Sequence, residues 1–409
     1  MGHPKDYFQQ LKAQLGPQAW HNFRIDASAS LLFSVFNAVF NQFYIPMAIQ
    51  QGANNMQVGV LAAAPAIGLL LSPLWASFIE QSGPRRFMIY PNLIGRALII
   101  LPAFFGVPLV YVGVALLFQL MMGMQAPAYA SMVTRMYPPQ HRGKLMANVR
   151  IGMVVLMIPL AYLVGYWTDA AGPSGPLAAA AVMGVLSILV FTRVKESEPQ
   201  PQPTAAAVQK RGSFREQWSL VKQNRELGIF LAATTFTGFC NIMAGPLYQI
   251  IQVERLELSN VEIGYARMTY FACLLVAYFV VGRAIDRISA KSTIIYGLLA
   301  FAAVPTLYGV FGNYPSVLVG SGIQGIGDAI WDIGILAYVF RLAPGREAVV
   351  FGLHMLLFGI RGTIGPLLST ALAGYGLPLS WLLLGAALFG WIGCALFIAM
   401  GRRGERQAA

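Results

Sequence analysis

Apolar runs, each about as long as a helix that crosses a bilayer, follow one another along the chain with short polar breaks between them. Twelve are legible, at roughly residues 25–48, 55–79, 87–106, 109–135, 145–167, 176–193, 226–251, 260–284, 292–311, 315–340, 347–373 and 379–400. About 20 apolar residues carry a helix across the hydrocarbon core. The runs are continuously apolar, unlike the period-two alternation of a membrane β-barrel. Lipid offers no partner to free backbone groups, so these runs are predicted to be helices. The longest interruption, residues 194–225, holds Pro199, Pro201 and Pro203 and then Lys210, Arg211, Arg215, Lys222 and Arg225. It reads as a linker between two sets of six. The expected organisation is an N-terminal arm (1–24), a six-helix half (25–193), the linker (194–225), a second six-helix half (226–400) and a tail (401–409). The fold class is an all-α integral membrane protein of twelve transmembrane helices.

Composition narrows the function. Of 409 residues, 57% are hydrophobic and only 11% are charged, against about 25% charged in soluble chains. A soluble enzyme, a disordered chain and a nucleic-acid-binding domain are excluded as main readings. The net charge of +12 would suit nucleic acid, but its distribution explains it otherwise. With the N-terminus inside, the cytoplasmic segments carry 23 of the 28 Lys and Arg residues and the outer loops carry Arg255 alone. That asymmetry orients both termini to the cytoplasm and sets the basic loops against anionic headgroups. The partners expected are the lipid bilayer and a small molecule, not nucleic acid. The first 24 residues lack the apolar core of a cleavable signal peptide. No Asn-x-Ser/Thr sequon occurs, which fits a bacterial cytoplasmic (inner) membrane. Cys240, Cys273 and Cys394 lie inside apolar runs with no metal or disulfide spacing.

The two halves echo each other. Phe36, Asn41 and Pro46 recur as Phe236, Asn241 and Pro246, and Arg135 and Pro138 recur as Arg341 and Pro344. An even number of spans separates the copies, so the halves share one orientation. Parallel repeats of this kind place a binding site between them, near mid-membrane.

The loop from Ala76 to Arg86, with Glu80, Gly83, Arg85 and Arg86, resembles the loop 2–3 signature of the major facilitator superfamily, Gly-x-Leu-x-Asp-(Arg)-x-Gly-(Arg)-(Arg/Lys). A second copy runs from Gly282 through Asp286 and Arg287 to Lys291. Ala76 and Glu80 stand where the first copy usually has Gly and Asp, and Ser289 where the second has Gly. The resemblance implies two pseudo-symmetric six-helix halves, monomeric, working by alternating access. It also implies a cytoplasmic latch in which Glu80 and Asp286 act as gating acids, with Arg85, Arg86, Arg135, Arg287 and Arg341 around them. A carboxylate near a helix N-terminus gains about 0.3–1 kcal/mol, small enough to be remade in every cycle. A static turn that only orients the loops is the alternative.

Charges inside a bilayer are costly and mark function or pairing. Asp328 and Asp332 lie one turn apart on the tenth span, on one face. Two neighbouring carboxylates in a low dielectric do not both ionise easily, which is what proton coupling requires. Counting residues from the turn after the tenth span puts Arg361 level with Asp328, so Asp328–Arg361 is the expected mid-membrane pair. Asp332 is then the freer acid and His354 a further relay candidate. Ser30, Ser34, Asn37, Asn41 and Tyr44 form a polar stripe on the first span, repeated loosely by Thr234, Thr237, Asn241 and Tyr248 on the seventh. Gln119, Gln125, Gln324 and Trp331 are further cavity candidates, and Arg96 is a candidate anion contact. Arg150 is expected to pair with Asp26. Packing and interhelical hydrogen bonds are the alternative role for each of these.

No nucleotide-binding loop, metal-ligand cluster or nucleophile motif occurs, so no cofactor and no enzyme activity is expected. The function that follows is proton-coupled secondary transport of a small organic solute. Aromatic-rich, sparsely polar spans lean the reading towards efflux of a lipophilic or amphipathic compound, with uptake as the alternative. The surplus of intramembrane arginines over acids favours uptake of a polar solute or organic anion instead. A non-transporting receptor or assembly protein on the same scaffold is the alternative of another class.

Overall fold

A computed structural model describes residues 9, 11–72, 74–75, 78–79, 83–196, 221–284, 289–342 and 347–407. Among them there are helices and no strands. The elements are α1 (Pro17–Gln50), α2 (Asn55–Leu70), α3 (Pro84–Phe104), α4 (Pro108–Met136), α5 (Pro139–Ala171) and α6 (Ser174–Phe191). After the linker come α7 (Arg225–Arg255), α8 (Asn260–Ala284), α9 (Ala290–Val310), α10 (Tyr314–Leu342), α11 (Glu347–Gly374) and α12 (Leu379–Gln407). Ten helices among the described residues are long and apolar enough to cross a membrane. Of the other two expected spans, α2 is a shorter apolar helix and α10 is a 29-residue helix carrying both acids.

The helix starts follow local chemistry. Pro17, Pro84, Pro108 and Pro139 sit in first turns, where the missing N–H costs nothing. Asn54 and Gln57 close a capping box at α2, and the side chains of Asn224 and Ser289 cap α7 and α9. The exterior is the reverse of a soluble protein's: Phe104, Leu109 and Trp381 are among many large apolar side chains left uncovered, a surface that lipid completes.

In the first half α1 packs on α5 and α6, α3 on α4 and α6, and α2 on α4. In the second, α7 packs on α9, α11 and α12, α8 on α10, and α9 on α10 and α12. The halves meet along two long seams, α2 against α11 and α5 against α8, and at the outer ends of α1 and α7. Small residues make the seams possible. Gly165 lies directly on the backbone carbonyl of Asn260, Gly264 on that of Ala161, and Gly362 on the methyl of Ala66. Such close backbone approach is how helices associate where lipid removes the hydrophobic driving force.

One irregularity positions the site. Within α1, Ala38–Phe43 is a π-helical segment. The extra residue per turn changes which side chains face inward, a feature that recurs at functional sites. It brings the consecutive residues Asn41 and Gln42 to two separate pockets between the halves.

Candidate functional site

The halves are tied together at the end of the bundle that the charge pattern predicts to face outward. The Asp169 carboxylate, at the end of α5, accepts from the backbone N–H groups of Asn260 (2.9 Å) and Val261 (2.8 Å) and from the Asn260 side chain (2.7 Å). These are the first N–H groups of α8, which have no partner within the helix. Gln50, at the end of α1, donates to the Asn260 side chain at 3.2 Å. A carboxylate of one half thus caps a helix of the other, at the opposite face from the expected cytoplasmic latch. Of that latch, Glu80, Asp286 and Arg287 lie outside the described residues, as does the side chain of Arg341. Arg85 and Arg135 are both paired with Glu196, at the start of the linker (3.5 and 3.4 Å). Arg86 is exposed at the start of α3.

Beneath the outer tie lie two pockets lined by both halves. The first, about 260 Å³, is bounded by Phe40, Asn41, Tyr44, Leu61 and Gln119 of the first half and by Ile242, Pro246 and Gln249 of α7. Asn41, Tyr44 and Gln119 were expected here. The Tyr44 hydroxyl itself turns away and donates to the Tyr111 carbonyl at 2.9 Å, so its ring is what the pocket meets. Asn41 donates to Asn37 one turn earlier.

The second pocket, about 150 Å³, is more polar. Gln42 of α1 faces Tyr248, Gln252, Arg267, Tyr270, Tyr308, Ser321 and Gln324 of the second half. The Gln252 amide donates to the Tyr308 hydroxyl at 3.0 Å, and Ser321 also bonds Tyr308. Four buried polar atoms in this wall have no hydrogen-bond partner: the Tyr248 hydroxyl, the Gln252 and Gln324 side-chain carbonyls, and Arg267 Nε. Buried polar groups are nearly always satisfied. Four orphans around one small space mark a place where something else supplies the bonds. Tyr248 and Gln324 were legible in the sequence. Gln42, Gln252 and Ser321 were not expected: Gln42 needs the π segment, whereas Gln252, four residues after Tyr248, and Ser321, three before Gln324, continue faces already visible in the sequence.

Asp328 borders this pocket. Its carboxylate accepts from the Tyr270 hydroxyl at 2.7 Å and from the Gln324 amide at 3.3 Å. One turn on, Asp332 accepts from the Tyr278 hydroxyl at 2.5 Å. Asp332 and Arg150 are exposed although both sit in spans. A carboxylate facing lipid would be costly, so this part of α10 faces water between the halves. The expected Asp328–Arg361 pair is not formed. Arg361 is buried, donates to the Thr234 carbonyl of α7 at 2.8 Å and packs against Gly238. Equal depth did not mean adjacency: α10 packs on α8 and α9, whereas α11 packs on α2 and α7. The expected Asp26–Arg150 pair is also not formed; Asp26 accepts from the Tyr137 hydroxyl at 2.7 Å. The intramembrane acids Asp26, Asp328 and Asp332 are thus met by tyrosines, and Arg96 and Arg361 by carbonyls.

The remaining candidates fall elsewhere. Ser34 is fully buried and spends its hydroxyl on the Ser30 carbonyl. Thr237 is buried against the Gly390 carbonyl of α12. Asn37 reaches the Met157 sulfur of α5 at 3.8 Å, and Asn241 is half-buried on α7. Trp331 packs on Phe301 and His354 inside the second half. Arg96 and Gln125 line a pocket inside the first half rather than between the halves.

The sequence pattern of the Major Facilitator Superfamily matches residues 27–252 and 230–409, which together span nearly the whole chain. The chain belongs to the major facilitator superfamily. Its fold is also that of solved transporters. The crystal structure of the nucleoside transporter NupG superposes with a TM-score of 0.68 at 13% identity, over 93% of this chain and 98% of that one. A bacterial homolog to the human lysosomal transporter Spinster, inward-facing and unoccupied, superposes with a TM-score of 0.64 at 11% identity, over 95% and 98%. At such identities the likeness establishes the fold and no more. No curated protein matches the chain in sequence. The protein is a multi-pass membrane protein of a transporter family, whose members bind small molecules within the membrane and are not enzymes.

Proposed function

We propose that this chain is a proton-coupled secondary transporter that moves a small polar organic solute by alternating access, as a monomer in the cytoplasmic membrane with both termini inside. The observation that carries this reading is the set of orphaned polar atoms around the pocket of Gln42, Gln252, Arg267 and Gln324. The two amide carbonyls call for hydrogen-bond donors, and the Arg267 Nε–H calls for an acceptor. A polar solute with hydroxyl or amine groups and an oxygen acceptor or carboxylate meets both; a nucleoside, the solute named for one similar structure, is one such class. Asp328 and Asp332, each on a tyrosine and neither in an ion pair among the described residues, supply the coupling site. A proton can join or leave them without breaking a salt bridge.

The efflux reading has one observation in its favour. The larger pocket has an apolar rim of Phe40, Tyr44, Leu61 and Ile242, which suits an amphipathic compound. A receptor without transport does not account for the paired acids.

Thermal-shift and calorimetric titration of the purified protein with amino acids, nucleosides, sugars, hydroxy acids and lipophilic cations separates these readings. One polar class is expected to stabilise the protein. Arg267→Gln is expected to weaken that binding by about tenfold or more, the scale of a lost charged hydrogen bond in a buried site. Stabilisation by lipophilic cations alone, unaffected by Arg267→Gln, would establish the efflux reading instead.

A further inference from the structure

A third pocket, about 240 Å³, lies wholly within the first half, walled by α1, α3, α4, α5 and α6. No residue of the second half lines it, so it is distinct from the two pockets between the halves. Arg96 projects into it with 5% of its surface exposed. One end of the guanidinium is held: Nη1 donates to the Gly184 carbonyl at 3.2 Å and to the Ser187 hydroxyl. Its plane lies over the Phe33 ring at 4.3 Å. Nε has no hydrogen-bond partner, and among the described residues no carboxylate forms an ion pair with Arg96. The other charge on the wall, Asp26, is occupied by Tyr137. It lies seven residues before Phe33 on α1, about 10 Å along the helix.

This is a cation fixed in the wall of a chamber that is apolar on one side and carries Ser30, Gln125 and Tyr129 on the other, with part of the cation's donor set unused. Guanidinium donors match carboxylate oxygens, and fixing one side of the group presents the remaining donors in a set direction. Met88, Met153, Ile188 and Phe191 form the apolar walls, and methionine adapts to irregular ligands. At roughly 30 Å³ for each water-sized group, the space holds about eight such groups. That is enough for a carboxylate and a medium-length alkyl chain and too little for a whole lipid. A phosphate headgroup would bring more charge than one arginine answers.

We infer that the first half carries a second, non-transport site for a monocarboxylate with an apolar chain, with its carboxylate on Arg96 and its chain among the methionines. The acid reaches it either from solution or from the surrounding bilayer.

Octanoate is the probe for the soluble source, and decanoate in nanodiscs for the membrane source. Octanoate titrated into the purified protein by calorimetry is expected to bind with one site per chain. Octanol and octylammonium are expected to bind at least about tenfold more weakly. Arg96→Gln should lose octanoate binding and Arg96→Lys should retain part of it. Met153→Phe fills the chamber from α5 without touching the arginine; it should also lose binding, and it keeps the test decisive if Arg96→Gln fails to fold. Retention of decanoate, but not octanoate, on the nanodisc-embedded protein in native mass spectrometry would assign the bilayer as the source, and the converse would assign solution. Equal binding of octanol and octanoate, or octanoate binding unchanged in both Arg96→Gln and Met153→Phe, would overturn the inference. So would binding of neither acid.

Discussion

Asp328→Asn is expected to abolish concentrative transport while leaving exchange of solute across the membrane in place. The asparagine side chain keeps an oxygen for the Tyr270 hydroxyl, which now donates at 2.7 Å, and keeps the shape of the site. It cannot take up a proton. Solute accumulation driven by an imposed pH gradient should fall to the equilibrative level, a ratio of about 1, because the coupling charge within the span is gone. Counterflow in proteoliposomes loaded with unlabelled solute should stay within about twofold of the parent. Asp332→Asn should act in the same direction. Its partner, Tyr278, sits about two turns beyond Tyr270 on α8, in the more exposed part of the site. Accumulation that survives in both variants would remove α10 from the coupling mechanism.

Asp169→Asn is expected to loosen the outer closure. Asp169 makes three hydrogen bonds to the start of α8, two of them to backbone N–H groups, and its charge faces the positive end of the helix. Hydrogen bonds to a charged group contribute about 1.5–3 kcal/mol each, while the amide keeps only part of that bonding. A net loss of about 1.5–3 kcal/mol shifts the balance between outer-closed and outer-open forms by about 10- to 100-fold. The check is labelling, by a membrane-impermeant maleimide, of a cysteine placed at Gln42 in a cysteine-free chain. Labelling should be slow in the parent and rise about tenfold or more with Asp169→Asn. An unchanged rate would mean that this cap is decorative. The seam itself should hold, since Gly165 and Gly264 pack α5 on α8 independently of the carboxylate.

The architecture was legible because membrane spans write themselves as uninterrupted apolar runs and because charge orients them. The run at 145–167 corresponds to α5, yet that helix extends over Pro139–Ala171. Its ends leave the lipid, where apolarity no longer marks them, and one of those ends carries Asp169. The site was legible only in part. Spacing of four placed Asp328 and Asp332 on one face, as found. Depth counting then paired Asp328 with Arg361, and failed because sequence gives height in the membrane but not which helix stands beside which. The polar stripe on the first span was drawn with regular helical steps. The π segment at Ala38–Phe43 breaks those steps and brings Gln42 into the pocket beside Arg267, while Ser34, on the regular helix before it, is buried in its own half. Arg96 read as a contact for transported solute, but its neighbours across the first half are set by how α3 meets α6, which no local pattern encodes.

The central claim is that two rigid halves exchange access to the pocket between them. Pulsed electron-electron resonance measures this directly. One spin label would replace Phe104, at the outer end of α3, and the other Tyr375, after α11; both side chains are exposed, at 73% and 88%, and they belong to opposite halves. Cys240, Cys273 and Cys394 would be replaced by alanine. The account predicts a main population matching the closed outer end and a second, longer one. The second should change in weight with pH and become dominant in Asp169→Asn. A single distance distribution, the same at every pH and unmoved by Asp169→Asn, would contradict alternating access in this protein.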